Sequence, residues 1–500
     1  MIKVPYVRIL LFTMIVVLRF NTHAQTVNDF LSLKNFTPPS PEAAALGKYS
    51  QIPVNLNSGL PNISIPLYEI KSRKLSLPIT FSYHAAGIKV EEIATPVGLG
   101  WVLNYGGEVF RSVVGIADER SGFPNYTTYK NRSQLENVTF NYGDYEYLDN
   151  LAKGYLDAQS DAYSFSLLDV AGKFVYDVSG QIQQNVVDQQ IKIIRNANNT
   201  FAILDDQGIL YQFNEKEITH NWLGSDDVTS WKLTSIISAD KTDTITFKYK
   251  AAAALTETYD SYSYNIPIPV NLDVSSGFAI CQKISPGHTR DIATNTFTHY
   301  RKLIDSIKFS NGYVKFNYAN DRQDPGVERL TGIVVGNLEK VIKIFELEHS
   351  YFESYAGQNT ATKYTKRLKL NKLKEKGVNT TDVKTHSFEY NTNSLPPYFI
   401  NTPFGELRTC QMDFWGYYNA SGNTLLPQGY SNKIANFFNQ NGISVNNSII
   451  NEYESFATTR YVNTVYTQAG ILTRVNYPTG GYSQFEYENN KVANTGNPSD

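Results

Sequence analysis

Few residues of this chain stand at spacings that could do chemistry. Glu91-Glu92 and Asp118-Glu119 are adjacent carboxylates, and two carboxylates flanking a sugar are what glycoside hydrolysis needs. Neighbours on a strand point to opposite faces, so neither pair makes a ready acid/base couple, and solvated charge is the expectation for both. Two acids need only meet in space, which keeps a glycan-active enzyme open. His84, in Ser82-Tyr83-His84, has no Ser or Cys nucleophile motif beside it and reads as a satisfied strand histidine. The seven histidines are dispersed, with no His-Glu-x-x-His pair. Asp205-Asp206-Gln207-Gly208 and Asp240-Lys241-Thr242-Asp243 offer too few acids for Ca2+ and read as hairpin turns. Gly98, Gly100 and Gly106-Gly107 surround Trp101 but lack the Lys-Ser/Thr of a phosphate loop. They are expected to let the chain bend closely around a packed Trp that anchors the first core. Trp415, Tyr417 and Tyr418 are candidate glycan contacts, because exposed rings stack on sugars. The competing reading is a buried cluster that fixes residues 413–419 against a sheet, which a chain this aromatic favours. No catalytic constellation, metal site or cofactor follows from these residues.

The elements that would carry such groups are β-hairpins. In residues 472–488 a β-branched and aromatic run reaches Pro478-Thr479-Gly480-Gly481, and a second run leaves through Phe485 and Tyr487. The same design recurs in residues 233–250, ending in Phe247 and Tyr249, in residues 303–318, turning at Asn311-Gly312 and ending in Phe316 and Tyr318, and in residues 368–390, ending in Phe388 and Tyr390. The period of two puts each Phe and its Tyr on one face of the outgoing strand. A lone hairpin is marginal in water, so four of them imply pairing within a larger sheet. The repeated Phe positions lie 69, 72 and 97 residues apart, too irregular for a short-period solenoid.

The rest of the chain agrees with an all-β protein built of antiparallel hairpins in a large sheet assembly, shell-like, sandwich-like or propeller-like, with short helical insertions. Tyr and Phe are abundant at 35 and 27, Met is scarce at 3, and polar residues interrupt the apolar runs. Strands are expected where Ile63, Ile65 and Leu67 alternate, with Pro66 marking an edge or irregular ladder, and at residues 77–83 and 109–116. Hairpins are expected at residues 163–177 and 201–213. Residues 251–300 break the rhythm: 251–254 could begin a short helix and 259–264 read as loop. The expected organisation is a lead-in segment at 25–48, a β-domain at 49–250, a loop-rich insertion or boundary at 251–300, a second β-domain at 301–488 and a polar tail at 489–500.

Lys3 and Arg8, the apolar run 9–18 and Thr22-His23-Ala24 form a signal-peptide pattern over residues 1–24, with cleavage expected after Ala24. Export without a transmembrane anchor follows. Cys281 and Cys410 could form one disulfide, but two cysteines cannot scaffold a chain of this size, so a conventional core must hold it. A net charge of −2 and a pI near 6.4 give no electrostatic reason to expect nucleic acid as the partner.

The stretch from Pro41 to Val54, the segment 59–67 (Gly-Leu-Pro-Asn-Ile-Ser-Ile-Pro-Leu), Ser82-Tyr83-His84-Ala85-Ala86-Gly87-Ile88-Lys89-Val90 and Val97-Gly98-Leu99-Gly100-Trp101 resemble the N-terminal region of RHS/YD-repeat proteins of the Bacteroidetes. Asp413-Phe414-Trp415-Gly416-Tyr417-Tyr418-Asn419 and Tyr477-Pro478-Thr479-Gly480-Gly481-Tyr482 extend the resemblance over most of the chain. It implies a secreted or surface protein whose hairpins wind into a shell ahead of a variable C-terminal effector. The chain departs from that pattern in having no run of full repeats, no terminal core motif and no effector region, as the front of a longer protein or a reduced member would. Two readings follow. The first is a non-enzymatic structural and interaction protein that encloses or displays a C-terminal effector or mediates surface contact. The alternative is a surface carbohydrate-binding protein or glycan-active enzyme whose partner is a cell-surface glycan.

Overall fold

A computed structural model describes residues 54–55 and 59–490, except 122–141, 154, 158, 169, 178, 186–190, 266–288, 355–360, 379–380, 403–404, 430–432, 434–435, 437–439 and 441–446. The expected signal peptide and lead-in, Cys281 and residues 491–500 of the tail lie outside the described residues. The chain divides into two units, Met1–Asn55 and Leu56–Asp500, and the fold is that of the second. With 51% of the chain in strands and 8% helical, it is all-β and antiparallel.

A small sheet comes first, of β1 (Ile63–Lys71), β2 (Ser76–Tyr83) and β3 (Trp101–Asn104), in that order. Alternation buries Ile63, Ile65 and Leu67 on one face of β1, and a register shift between Pro66 and Tyr68 resets the phase so that Ile70 is buried as well. Pro66 cannot donate to a ladder, which is why the irregularity falls there.

All other long strands join one continuous nineteen-stranded sheet. Its first members are β4 (Glu108–Ser112), β5 (Ala162–Ser166), β6 (Ala171–Tyr176), β7 (Ile182–Asn185), β8 (Lys192–Arg195) and β9 (Phe201–Leu204). Next come β10 (Leu210–His220), β11 (Asp226–Ile237), β12 (Thr244–Ala251), β13 (Leu255–Asn265), β14 (Thr289–Tyr300), β15 (Lys302–Phe309) and β16 (Gly312–Ala319). β17 (Arg329–Asn337), β18 (Val341–Glu353), β19 (Lys366–Gly377) and β20 (Val383–Tyr390) continue it. β21 (Phe399–Thr402) and β22 (Gly405–Arg408) form a separate pair, and β23 (Leu472–Asn476) and β24 (Tyr482–Gln484) end the large sheet. The sheet branches. β11 pairs with β10 on one side, and with both β4 and β12 at successive points; β10 pairs with β9 and β14. From β12 the ladder runs through β15, β16, β17, β18, β19, β20 and β23 to β24.

The expected hairpins are present as β5–β6, β9–β10, β11–β12, β15–β16, β19–β20 and β23–β24. In three of them the ladder beside the outgoing strand shares a feature that residue spacing does not reveal. A register shift falls immediately before the Tyr, between Lys248 and Tyr249, Asn317 and Tyr318, and Glu389 and Tyr390. The facing strand carries the extra residue. At two sites that residue is a threonine whose hydroxyl donates to the carbonyl just before the Tyr, Thr331 to Asn317 and Thr473 to Glu389. Each bulge adds local twist to a sheet that must curve.

The strands on either side of residues 251–300 belong to the same sheet. The expected loop at 259–264 is instead part of β13, all of which pairs with β14, because its Thr, Tyr and Ser residues suit a pleated surface. Ala251 ends β12 and 252–254 form no helix, since the chain must turn straight into β13.

The small sheet and the segment leaving β3 cover aromatic residues of the first three repeated hairpins, whereas Phe485 and Tyr487 lie just past β24 rather than on the outgoing strand. Trp101, fully buried, packs 4.7 Å from Phe388 and 5.2 Å from Tyr83 between ring centroids. Tyr105, just beyond β3, meets Tyr249 and Phe316. The Tyr83 hydroxyl accepts from the Leu472 N–H, and the Tyr487 hydroxyl donates to the Leu472 carbonyl. Phe247, Phe316, Phe388 and Tyr390 are buried, whereas Tyr249, Tyr318, Phe485 and Tyr487 are half-buried. Gly100 sits at φ +74°, where a Cβ would come within 2.6 Å of the Tyr83 ring; a glycine is what lets Trp101 seat there.

Candidate functional site

Where the segment leaving β3 crosses the large sheet, a cavity of about 580 Å3 opens between β2, β3, β11 and β15. The crossing is close. Gly106 at φ +142° leaves no room for a Cβ against Leu233, and Glu108, which opens β4, stands opposite Lys232 in the ladder. Lys232, from β11, reaches the Glu108 carboxylate at 2.7 Å and the Glu217 carboxylate at 3.2 Å. Ser230 also donates to the Glu108 oxygen that Lys232 contacts, while the other Glu108 oxygen takes no hydrogen bond from a described residue. The backbone N–H of Lys302 donates to Glu217, and its ammonium pairs with Glu215 at 2.6 Å. Burial works against the charged form of Lys232, but Glu108 and Glu217 outweigh it and hold the ammonium above its usual range. Burial pushes the Tyr105 hydroxyl up to about 12. Glu108 and Glu217 are both ion-paired to one lysine, which stands in the space an acid/base couple would need. These residues are 15 to 124 positions apart and carry no motif, so residue spacing could not have found them.

The second region is the tip formed by residues 413–417. The Asp413 N–H donates to the Tyr417 carbonyl, and the Asp413 carboxylate accepts from the N–H groups of Trp415 and Tyr417 at 2.9 and 3.0 Å. Gly416 takes φ +91° to close the turn. Arg460 braces it from beneath, donating to the Asp413 carbonyl at 2.7 Å with its guanidinium 5.5 Å from the Phe414 ring centre. Asn419 donates to the carbonyls of Thr459 and Tyr461. Among the three aromatic candidates, Tyr418 is buried against Tyr466, Tyr417 is half-buried over Gly87, and Trp415 is 64% exposed beside an exposed Phe414. The trio is therefore not one cluster.

The remaining candidates separate. His84 is exposed, lies just past β2 and is held by its backbone to the Gly100 carbonyl rather than within a strand. Glu91 pairs with Arg408 at 3.1 Å, and burial raises Glu92, so these acids are not simply solvated. Asp118 and Glu119 are on a short helix, Asp118–Ser121, not a strand, and Asp118 is buried. Arg111 pairs with Glu119 at 2.5 Å and with Asp161 at 3.3 Å. Asp118 and Asp161 each accept from the other's backbone N–H, and burial, with Asp161 adding to it, raises Asp118 to about 7. Spacing missed this network because Arg111 and Asp161 lie on β4 and just before β5, which pair. Asp205 accepts from Gln207 and Ile209 N–H groups in a turn closed by Gly208 at φ +79°. Asp240 caps its own turn, and Asp243 ties the large sheet to the β1–β2 turn through Ser72 and the Lys74 N–H. Cys410 is buried. Among the described residues no three metal-ligating side chains form a group, and no helix is long and apolar enough to cross a membrane. In comparisons with known proteins, no family model matches the chain and no curated protein matches it.

Proposed function

We propose that the chain is an exported, non-enzymatic structural and interaction protein, a section of an RHS/YD-like β-shell that encloses or displays a C-terminal effector or mediates surface contact. The observation that carries this reading is the single continuous sheet in which hairpins repeat the same Phe-x-Tyr exit and the same bulge beside it. Paired hairpins satisfy the backbone, the aromatic faces bury against the β3 segment, and the polar faces remain for solvent or cargo. Intact-protein mass spectrometry of the secreted and envelope fractions of native cells tests it. A species well above 56.4 kDa supports a shell with an effector; a protein confined to the cell interior rejects the reading.

A second reading, contact with a surface glycan, is favoured by one observation: Trp415 is exposed on a turn that Asp413 and Arg460 hold fixed. Rigid exposed rings offer a stacking face at little conformational cost. Glycan-array binding that Trp415→Ala removes would support it, and an array without hits would remove it.

A further inference from the structure

We propose that the cavity under the β3 exit binds a short, neutral saccharide, with Glu108 and Lys232 gripping neighbouring hydroxyls. The proposal is independent of glycan contact at Trp415.

Three observations select this ligand class. First, hydrogen-bonding capacity is unspent on both charged groups: one Glu108 oxygen accepts nothing from a described residue, and Lys232, with its ammonium on two carboxylates, keeps a third N–H. A hydroxyl both donates and accepts, so adjacent sugar hydroxyls can meet the free oxygen and the free N–H together. Second, the local charges are spent on one another. Lys232 and Lys302 are matched by Glu108, Glu217 and Glu215 in ion pairs, so the charges nearly cancel and leave no surplus positive charge to attract an anion. Third, the remaining lining is mixed. Val102, Leu103 and Phe110, apolar lining residues that are not buried, suit the C–H faces of a pyranose, and Asn104 and Thr80 add polar groups. A wholly apolar ligand would bury the ion pair without giving it a partner. The volume of about 580 Å3 lies within the range of small-molecule sites.

The test uses the full chain and saturation-transfer NMR with titration calorimetry. The probes are glucose, galactose, mannose, xylose, N-acetylglucosamine, cellobiose, maltose and lactose, with inorganic phosphate and decanoate as controls. We expect at least one sugar to bind, and Glu108→Gln to weaken it about tenfold or more, the loss expected for a hydrogen bond to a charged group. Leu103→Trp, which fills the cavity, should abolish binding, and Leu338→Ala, at an exposed position outside the cavity lining, should leave it unchanged. Thermal unfolding checks each variant, and if Leu103→Trp does not fold, Glu108→Gln decides alone. Failure of every sugar to bind the wild-type chain overturns the proposal, as does binding indifferent to Glu108→Gln or displaced by phosphate or decanoate. Loss of sugar binding in Trp415→Ala but not in Glu108→Gln would place the glycan on the exposed turn and overturn the cavity assignment.

Discussion

The indole N–H of Trp101 donates to the Tyr390 hydroxyl over 2.9 Å, across 289 positions of the chain, and that hydroxyl donates to the Leu370 carbonyl. The relay is fully buried and joins the small sheet to the third repeated hairpin. Tyr390→Phe leaves the Trp101 N–H and the Leu370 carbonyl without this partner and should destabilise by about 1–3 kcal/mol. Trp101→Ala also deletes the packing on Phe388 and Tyr83 and should cost about 3–5 kcal/mol. Urea unfolding midpoints of the two variants and their double mutant check this, and additive effects would show that the hydrogen bond couples nothing.

Phe316 is buried beneath Tyr105, while Tyr318 is half-covered beside it in the cavity wall. Phe316→Ala should cost about 3–5 kcal/mol and Phe316→Ala with Tyr318→Ala more. Thr331→Val, which removes only the hydroxyl bonded to the Asn317 carbonyl, should cost about 0.5–1.5 kcal/mol. Retained thermal stability in the double alanine variant would count against the repeated-hairpin core.

The hairpins were legible because turn residues and period-two alternation are local: Asn311-Gly312 and Gly480-Gly481 announce their turns, and Phe316 and Phe388 are buried as alternation requires. Trp101 as an anchor was legible from the flanking glycines. The bulges were not, because the inserted Thr331 and Thr473 are defined only by which strand they face. Lys232 meeting Glu108, and Arg111 meeting Asp161, depend on strand order, which no spacing encodes. The reading of residues 259–264 as loop failed because a polar strand of Thr, Ser and Tyr lacks the apolar alternation that marks a half-buried one.

At the exposed turn, framework and contact surface should separate. Asp413→Ala removes the acceptor of two backbone N–H groups and should destabilise by about 1–3 kcal/mol. Trp415→Ala removes a ring that faces solvent and should change stability by no more than about 0.5 kcal/mol. A large loss of stability in Trp415→Ala, measured by urea unfolding, would return this side chain to the core and leave the glycan reading without its platform.

Asp118 gives a pH dependence with a defined sign. Its folded pKa of about 7 lies above the ordinary carboxyl value of 3.8, so between these values the native chain holds a proton that the unfolded chain has lost. Stability from this group is therefore complete below about pH 4, falls as pH rises through the window, and is gone above about pH 8. Asp118→Asn cannot ionise and still offers an oxygen to the Asp161 N–H. Glu119 and Asp161 titrate in both proteins, so the difference between variant and wild type reports the Asp118 carboxyl together with its coupling to these two. The stability of Asp118→Asn relative to wild type should rise steadily from pH 4.5 to about 7.5 and then level off, read from urea midpoints across that range. A difference that stays flat would mean that Asp118 ionises normally and that Arg111 neutralises it along with Glu119 and Asp161.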